Sequence, residues 1–162
     1  MSFFPLFFDM ENRSVLVVGA GNVAARRIQV LEQFGADLTV VSEKALPEIE
    51  ELAKKGRIRL IREPYAQCRE RIWSVSAFFL VLTATGDEAA DRMAEADGRA
   101  SGAFVNVAGD RHCSDFYFPG IVTSGEVTVG IAGTGDDHGK TKKTIAAIRR
   151  CLEEKERADG DR

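Results

Sequence analysis

One stretch of the chain has the residue types and spacing to hold a diphosphate. Ser14-Val15-Leu16-Val17-Val18 is an apolar run rich in β-branched residues, and it breaks into Gly19-Ala20-Gly21-Asn22-Val23-Ala24. A helical pattern follows at once, from Val23 through Phe34. A strand that turns through Gly-x-Gly-x-x-Ala into a helix is the dinucleotide-binding fingerprint in its required context. Gly19 permits the tight turn, because it has no Cβ to clash at positive φ. Gly21 lets the backbone approach a pyrophosphate, and Ala24 is small enough for helix and strand to pack closely. The first-turn N–H groups and the helix dipole then favour negative charge at that end.

Two further positions carry chemistry of the same kind. Glu43 stands 22 residues past Gly21, at the end of the next apolar run. An acidic residue about 20 positions past the glycines accepts hydrogen bonds from ribose hydroxyls. Its carboxylate also repels a 2′-phosphate, which favours NAD over NADP. Glu43 has a structural alternative as a cap for the helical run Pro47–Lys55, and the two roles are compatible. Thr83-Ala84-Thr85-Gly86-Asp87 follows a continuous apolar run, Ala77–Leu82. Such a run suits a central parallel strand buried on both faces. Ligands of open α/β sheets sit outside the carboxyl ends of the strands.

The elements that must position these residues alternate along the chain. Strands are expected at Ser14–Val18, Leu38–Val41, Arg57–Arg62, Ala77–Leu82 and Ala103–Val107. Helices are expected at Asn22–Gln33, Pro47–Lys55, Gln67–Ser74 and Glu88–Ala100, the last with Asp87 as its N-cap. Strict β-α alternation predicts a Rossmann-like, doubly wound parallel sheet. The pattern then changes. Phe116–Thr123 and Glu126–Ala132 flank Ser124-Gly125, a hairpin signal. A polar loop from Gly133 to Gly139 leads to an amphipathic helix, Lys140–Glu156, and a tail expected to fray. The expected division is a nucleotide-binding domain over 1–112, a hairpin arm over 113–135 for dimerisation or substrate, and a helix with tail over 136–162.

Composition sets the outer limits. The 162 residues include 22 Lys and Arg against 25 Asp and Glu, a net charge of −3, which argues against nucleic-acid binding as the main task. Cys68, Cys113 and Cys151 are scattered and odd in number, so a reducing cytoplasm is expected rather than a disulfide framework. Phe3-Phe4-Pro5-Leu6-Phe7-Phe8 is too short and too interrupted for a membrane span or signal peptide. It is expected to pack against the sheet. His112, Cys113 and Asp115 lack a stereotyped ligand spacing, so no metal site is expected there. His138 beside Asp136 and Asp137 reads as part of a polar loop.

Taken in order, several motifs resemble one family. Phe4-Pro5-Leu6-Phe7, the run Val17 to Arg27, Ala84-Thr85-Gly86-Asp87, Val105-Asn106-Val107, and Asp115-Phe116-Tyr117-Phe118-Pro119-Gly120-Ile121-Val122 follow the siroheme synthase dehydrogenase family. That family comprises precorrin-2 dehydrogenases, some of which are also sirohydrochlorin ferrochelatases. The resemblance implies that NAD takes a hydride equivalent from precorrin-2, a reduced tetrapyrrole, to give sirohydrochlorin, in a homodimer with no membrane or nucleic-acid partner. It implies that Gly19, Ala20, Gly21, Asn22 and Val23 form the pyrophosphate loop. Glu43 and Lys44 match the adenosine contacts, and Thr85 and Asn106 match positions beside the nicotinamide. Because the substrate carries many carboxylates, Arg26, Arg27 and Arg111 are candidates to meet them.

The chain departs from that family in places that bear on catalysis. The family's Asn-Val-Val-Asp, whose Asp is assigned to catalysis, reads Asn106-Val107-Ala108-Gly109 here. Asp110 is the expected substitute proton acceptor, with an ordinary turn as its structural alternative, and Asp115 is a second candidate. The loop after the hairpin lacks the family's Gly-Gly-x-Ser-Pro, and the sequence stops near Arg162, where family members carry a further helical region. Chelatase activity is therefore not expected. Two alternatives to the dehydrogenase remain: a catalytically degenerate module that binds NAD or a tetrapyrrole, and a Rossmann oxidoreductase for another small molecule.

Overall fold

Five short apolar runs pair into one parallel sheet in the computed structural model, which describes residues 4–133 and 138–160. They are β1 (Ser14–Val18), β2 (Asp37–Val41), β3 (Arg59–Ile61), β4 (Leu80–Thr83) and β5 (Phe104–Val107). Their spatial order is β3-β2-β1-β4-β5. Four helices join them: α1 (Asn22–Gln33), α2 (Pro47–Lys54), α3 (Tyr65–Val75) and α4 (Glu88–Ala100). Register places Val18 beside both Val41 and Thr83, so the central strands end level with one another. The expected doubly wound α/β fold is the observed one.

Side chains on a strand alternate between faces, and both faces here are buried. Leu16, Val18, Val41, Val81 and Val105 share one core cluster with Tyr65, Cys68 and Ile72 of α3 and Ala94 of α4. Val15, Val17, Leu38, Val40 and Leu82 point the other way and are also fully buried. Right-handed crossovers carry α1 and α2 over that second face, where Ile28 and Ile49 are fully buried. Each such side chain contributes about 1.5–3 kcal/mol relative to exposure.

A polar network pins α3 to α4. The Tyr65 hydroxyl donates to Asp97 Oδ2 at 2.7 Å, Arg69 Nε donates to the same oxygen at 2.8 Å, and the Arg69 guanidinium also meets Asp97 Oδ1. Trp73 Nε1 donates to the Tyr65 oxygen at 2.7 Å. Burial, above all, pushes the Tyr65 hydroxyl well above the ordinary tyrosine value, so it stays a donor.

The open edge of the sheet is covered locally. Asp115 Oδ2 accepts from the Val105 N–H at 2.8 Å, the Ser114 hydroxyl oxygen accepts from the Val107 N–H at 3.0 Å, and the Asp115 N–H donates to the Val105 carbonyl. An unpaired edge strand is a template for aggregation, and the 110–117 loop blunts it. Arg99 anchors that loop through Asp115 Oδ1 at 2.7 Å and the Cys113 carbonyl at 2.9 Å.

The chain divides into two compact units, Phe8–Tyr117 and the remainder, a boundary after the expected one at residue 112. In the second unit, β6 (Gly120–Ser124) pairs antiparallel with β7 (Val127–Ile131), and α5 (His138–Gly160) packs on β6. Gly120 fits there because a Cβ would lie 2.3 Å from Ile145 Cδ1. Within the expected apolar segment, Phe8 meets the Phe79 and Phe104 rings. Two expectations need correction. The first hairpin strand begins at Gly120 rather than Phe116, after Pro119, which has no N–H for the ladder. The last helix runs on to Gly160.

Replacing Asp97 with Ala strands both Tyr65 and Arg69. The expected cost is about 2 kcal/mol, read as a fall in Tm of about 4–8 °C by thermal melts. An unchanged Tm would show that the network contributes nothing.

Candidate functional site

The connections from β1 and from β4 leave in opposite directions, so a crevice opens between their carboxyl ends, the position where open α/β sheets bind ligands. A cleft of about 800 Å³ lies there. Its walls are the turn Gly19–Gly21 after β1, Ser42–Leu46 after β2, Glu63–Ala66 at the start of α3, and Ala84, Thr85 and Asp87 after β4.

The two glycines of the turn do different things. Gly19 has φ +108°, and a Cβ on it would lie 2.3 Å from the Ala84 carbonyl oxygen. It is required by the protein's own backbone. Gly21 has an ordinary extended backbone, and a Cβ there would meet nothing within 4 Å. The space over Gly21 is therefore open to a ligand. Gly21 is the N-cap of α1 and no side chain caps that helix, so the first-turn amides face the opening. This arrangement fits a dinucleotide diphosphate.

Backbone bonds fix the neighbouring loops. The Gly19 N–H donates to the Val41 carbonyl at 2.8 Å, and the Leu46 N–H donates to the Ala20 carbonyl at 3.2 Å. The Ser42 hydroxyl donates to the Lys44 carbonyl at 2.7 Å. Glu43 and Lys44 are exposed on this loop and line the cleft. Glu43 does not cap α2, whose N-cap is Leu46 followed by Pro47. Its carboxylate is left for the cleft.

Thr85 is held by a carboxylate that sequence reading missed. Asp91 is only 9 % exposed, and its Oδ1 accepts from the Thr85 N–H at 3.1 Å and the Thr85 hydroxyl at 2.8 Å. Asp87 caps α4 by accepting from the Ala89 N–H at 2.9 Å, as expected. The available signal for Asp91 was its place in the first turn of α4, six residues after Thr85; that place reads equally well as ordinary helix-dipole compensation.

A second cleft of about 670 Å³ lies on the β5 side of the 85–87 loop, lined by Gly86, Asp91, Val107, Gly109, Asp110 and Cys113 among others. Asp110 sits here, not in the first cleft. Its Oδ1 accepts from the His112 N–H at 2.8 Å and the Cys113 N–H at 3.2 Å. Those bonds, His112 first, hold its carboxyl below the usual aspartate range. Asp110 in turn pushes the Cys113 thiol up, away from a reactive thiolate. Gly109 has φ +89°, and a Cβ on it would meet nothing within 4 Å.

The other expected residues are dispersed. Asn22 and Val23 form the exposed first turn of α1. Asn106 is 5 % exposed within β5; its Nδ2 donates to the Phe116 carbonyl at 2.7 Å, and its buried Oδ1 has no partner among the described residues. Arg26 is exposed, Arg27 is half-buried with its guanidinium pKa lowered by burial, and Arg111 stands over the Tyr117 ring at 5.9 Å. Asp115 is spent on Val105 and Arg99, outside both clefts. No group of three or more His, Cys, Asp or Glu among the described residues is placed to hold a metal ion. Asp136 and Asp137 lie outside the described residues, as does the His138 side chain. No described helix is long and apolar enough to cross a membrane.

Comparison with known proteins gives consistent matches. The family described as "Putative NAD(P)-binding" matches residues 6–120. Siroheme synthase 1 of Cronobacter sakazakii is 35% identical over 136 residues, covering 84% of this chain and 28% of that protein. Siroheme synthase of Psychrobacter arcticus is 36% identical over 135 residues, covering 83% of this chain and 24% of that protein. The chain thus spans about a quarter of the length of these relatives. The solved structure of SirC, a precorrin-2 dehydrogenase, superposes with a TM-score of 0.73 at 27% identity, covering 90% of this chain and 69% of that one.

The lowered Asp110 pKa carries a pH signature. A carboxyl depressed in the folded state stabilises above its unfolded pKa, and that contribution fades as pH falls through the folded value. Asp110→Ala is therefore expected to melt below the wild type from pH 5 to 7. The gap should narrow below about pH 4. A gap that stays constant down to pH 2 would contradict the assignment.

Proposed function

This chain belongs to the NAD(P)-binding family of the siroheme synthase N-terminal domain, and on that premise we propose that it is an NAD-dependent precorrin-2 dehydrogenase. Its product is sirohydrochlorin, on the way to sirohaem. The single observation that carries the reading is the mouth of α1: an uncapped helix end beside a glycine whose missing Cβ leaves open space, at the crevice between β1 and β4.

When bound, NAD supplies the hydride acceptor; the protein supplies position and electrostatics. Backbone amides from Gly21 to Val23 meet the diphosphate. Glu43 accepts from the adenosine ribose hydroxyls and disfavours a 2′-phosphate, while Lys44 borders the same end of the cleft. Thr85 and Asn106 serve the nicotinamide end. Arg26, Arg27 and Arg111 are the basic groups offered to the carboxylates of the tetrapyrrole.

The protein works as a homodimer in the cytoplasm. A two-stranded sheet such as β6–β7 is marginal by itself, which supports pairing with a second copy. The three cysteines are free, which suits a reducing compartment. A second reading, nucleotide binding without turnover, has one observation in its favour: Gly109 offers no carboxylate where the resemblance calls for one.

The test is anaerobic incubation with precorrin-2 and NAD⁺. NADH and sirohydrochlorin are expected in equal amounts. Like-charge repulsion at Glu43 should favour NAD⁺ over NADP⁺ by about tenfold or more in kcat/KM, and Glu43→Gln should narrow that ratio. No product, where SirC turns over the same substrate, would contradict the proposal; NAD⁺ binding without product would support the second reading.

A further inference from the structure

The dehydrogenase reading leaves a proton without an acceptor. Precorrin-2 loses two hydrogens on oxidation. One departs with its electron pair to the nicotinamide of NAD⁺, giving NADH. The other departs as a proton, and its bonding pair becomes a new double bond in the macrocycle. Gly109 has no side chain to receive that proton. We propose that Asp91 receives it, at Oδ2, from a substrate seated in the cleft beside Gly109; this rests on the proposed function above.

Four carboxylates border the second cleft, and three are committed elsewhere. Glu88 pairs with Arg92, and Glu95 pairs with Arg99. Asp110 holds two backbone N–H groups and is a weakened base in consequence. Asp91 differs in burial: it is 9 % exposed, whereas Asp110 and Glu88 are exposed and Glu95 is half-buried. Both of its side-chain hydrogen bonds end on Oδ1, leaving Oδ2 without a partner among the described residues. Nor is Oδ2 a sealed, orphaned atom, since the buried unpartnered oxygens lie at other residues. It belongs to a residue that lines the cleft.

Its surroundings suit the task. Asp91 sits in the first turn of α4, where the Thr85 N–H and hydroxyl donors fix its rotamer. Thr85 borders the first cleft and Asp91 the second, so the Thr85–Asp91 pair joins the two. The proton acceptor is thereby tied to the loop that flanks the proposed nicotinamide end. Once protonated, Asp91 returns the proton to water through the open side of the cleft. The space over Gly109, where a Cβ would meet nothing within 4 Å, is left for the macrocycle.

The experiment compares the wild type, Asp91→Asn and Asp91→Glu in the full chain. Asn keeps an oxygen to accept from Thr85 but cannot take a proton at working pH. Asp91→Asn should therefore retain the wild-type melting curve and NAD⁺ affinity while kcat falls by about 10² to 10⁴. Asp91→Glu should exceed Asp91→Asn by at least about tenfold. A second readout needs no cofactor. In protein labelled with ¹³C-aspartate, the carboxyl resonance missing from Asp91→Asn should shift when sirohydrochlorin is added. Turnover of Asp91→Asn within threefold of wild type, equal turnover of the two variants, or an unmoved Asp91 resonance with sirohydrochlorin bound would each overturn the assignment. A wild type that binds NAD⁺ but never oxidises precorrin-2 would overturn the proposed function and this assignment together.

Discussion

The turn after β1 runs so close to the end of β4 that only a hydrogen fits on Gly19. A methyl group there would sit 2.3 Å from the Ala84 carbonyl oxygen, inside van der Waals contact, and the backbone is already at φ +108°. That approach lets β1 and β4 pair up to Val18 and Thr83 and then diverge into loops on either side of one crevice. Everything at the carboxyl edge follows from it: the angle of α1, the exposure of its uncapped amides, and the opening over Gly21.

The crevice is an electrostatic compromise as well as a shape. The α1 N-terminus favours an anion, while Glu43 places a carboxylate one loop away. A diphosphate with a free ribose satisfies both, and a ribose phosphate does not. Across the Thr85–Asp87 loop the sign changes. The second cleft is rich in carboxylates, and most are neutralised by arginines or backbone amides. On the proposed reading, one cleft binds negative charge and the other receives a proton, with Thr85 and Asp91 hydrogen-bonded between them.

Much of this was legible in the sequence, for identifiable reasons. The extents of β1, α1 and α4 match expectation because their limits are set by local chemistry: Gly19 and Gly21 break the first strand, and Asp87 caps the helix that follows it. β3 and β4 are shorter than their apolar runs, because a strand ends where its neighbour stops pairing and not where hydrophobicity stops. Gly19, Gly21, Glu43 and Thr85 are gathered around one cleft because each sits just past a strand. Asp110 and Asp91 mark the limit of that reading. A turn-forming Asp and one that holds a neighbouring loop look alike in sequence. Only their three-dimensional placement distinguishes them: Asp110 is exposed and holds two backbone amides of its own turn, whereas Asp91 is buried and holds the Thr85 amide and hydroxyl. The N-terminal phenylalanines illustrate the same limit, since composition identified an apolar segment but not that Phe8 docks on Phe79 and Phe104.

The central claim is that the open space over Gly21 is where a diphosphate meets the α1 amides, and calorimetric titration of NAD⁺ into wild-type protein and Gly21→Ala tests it most directly. The added methyl meets no protein atom within 4 Å and imposes no backbone strain, so the variant should melt with the wild type. The account predicts saturable binding to the wild type, with affinity reduced by about tenfold or more in Gly21→Ala, a loss of about 1.4 kcal/mol or more. Flat titrations of the wild type, or equal affinities for the two proteins, would contradict it.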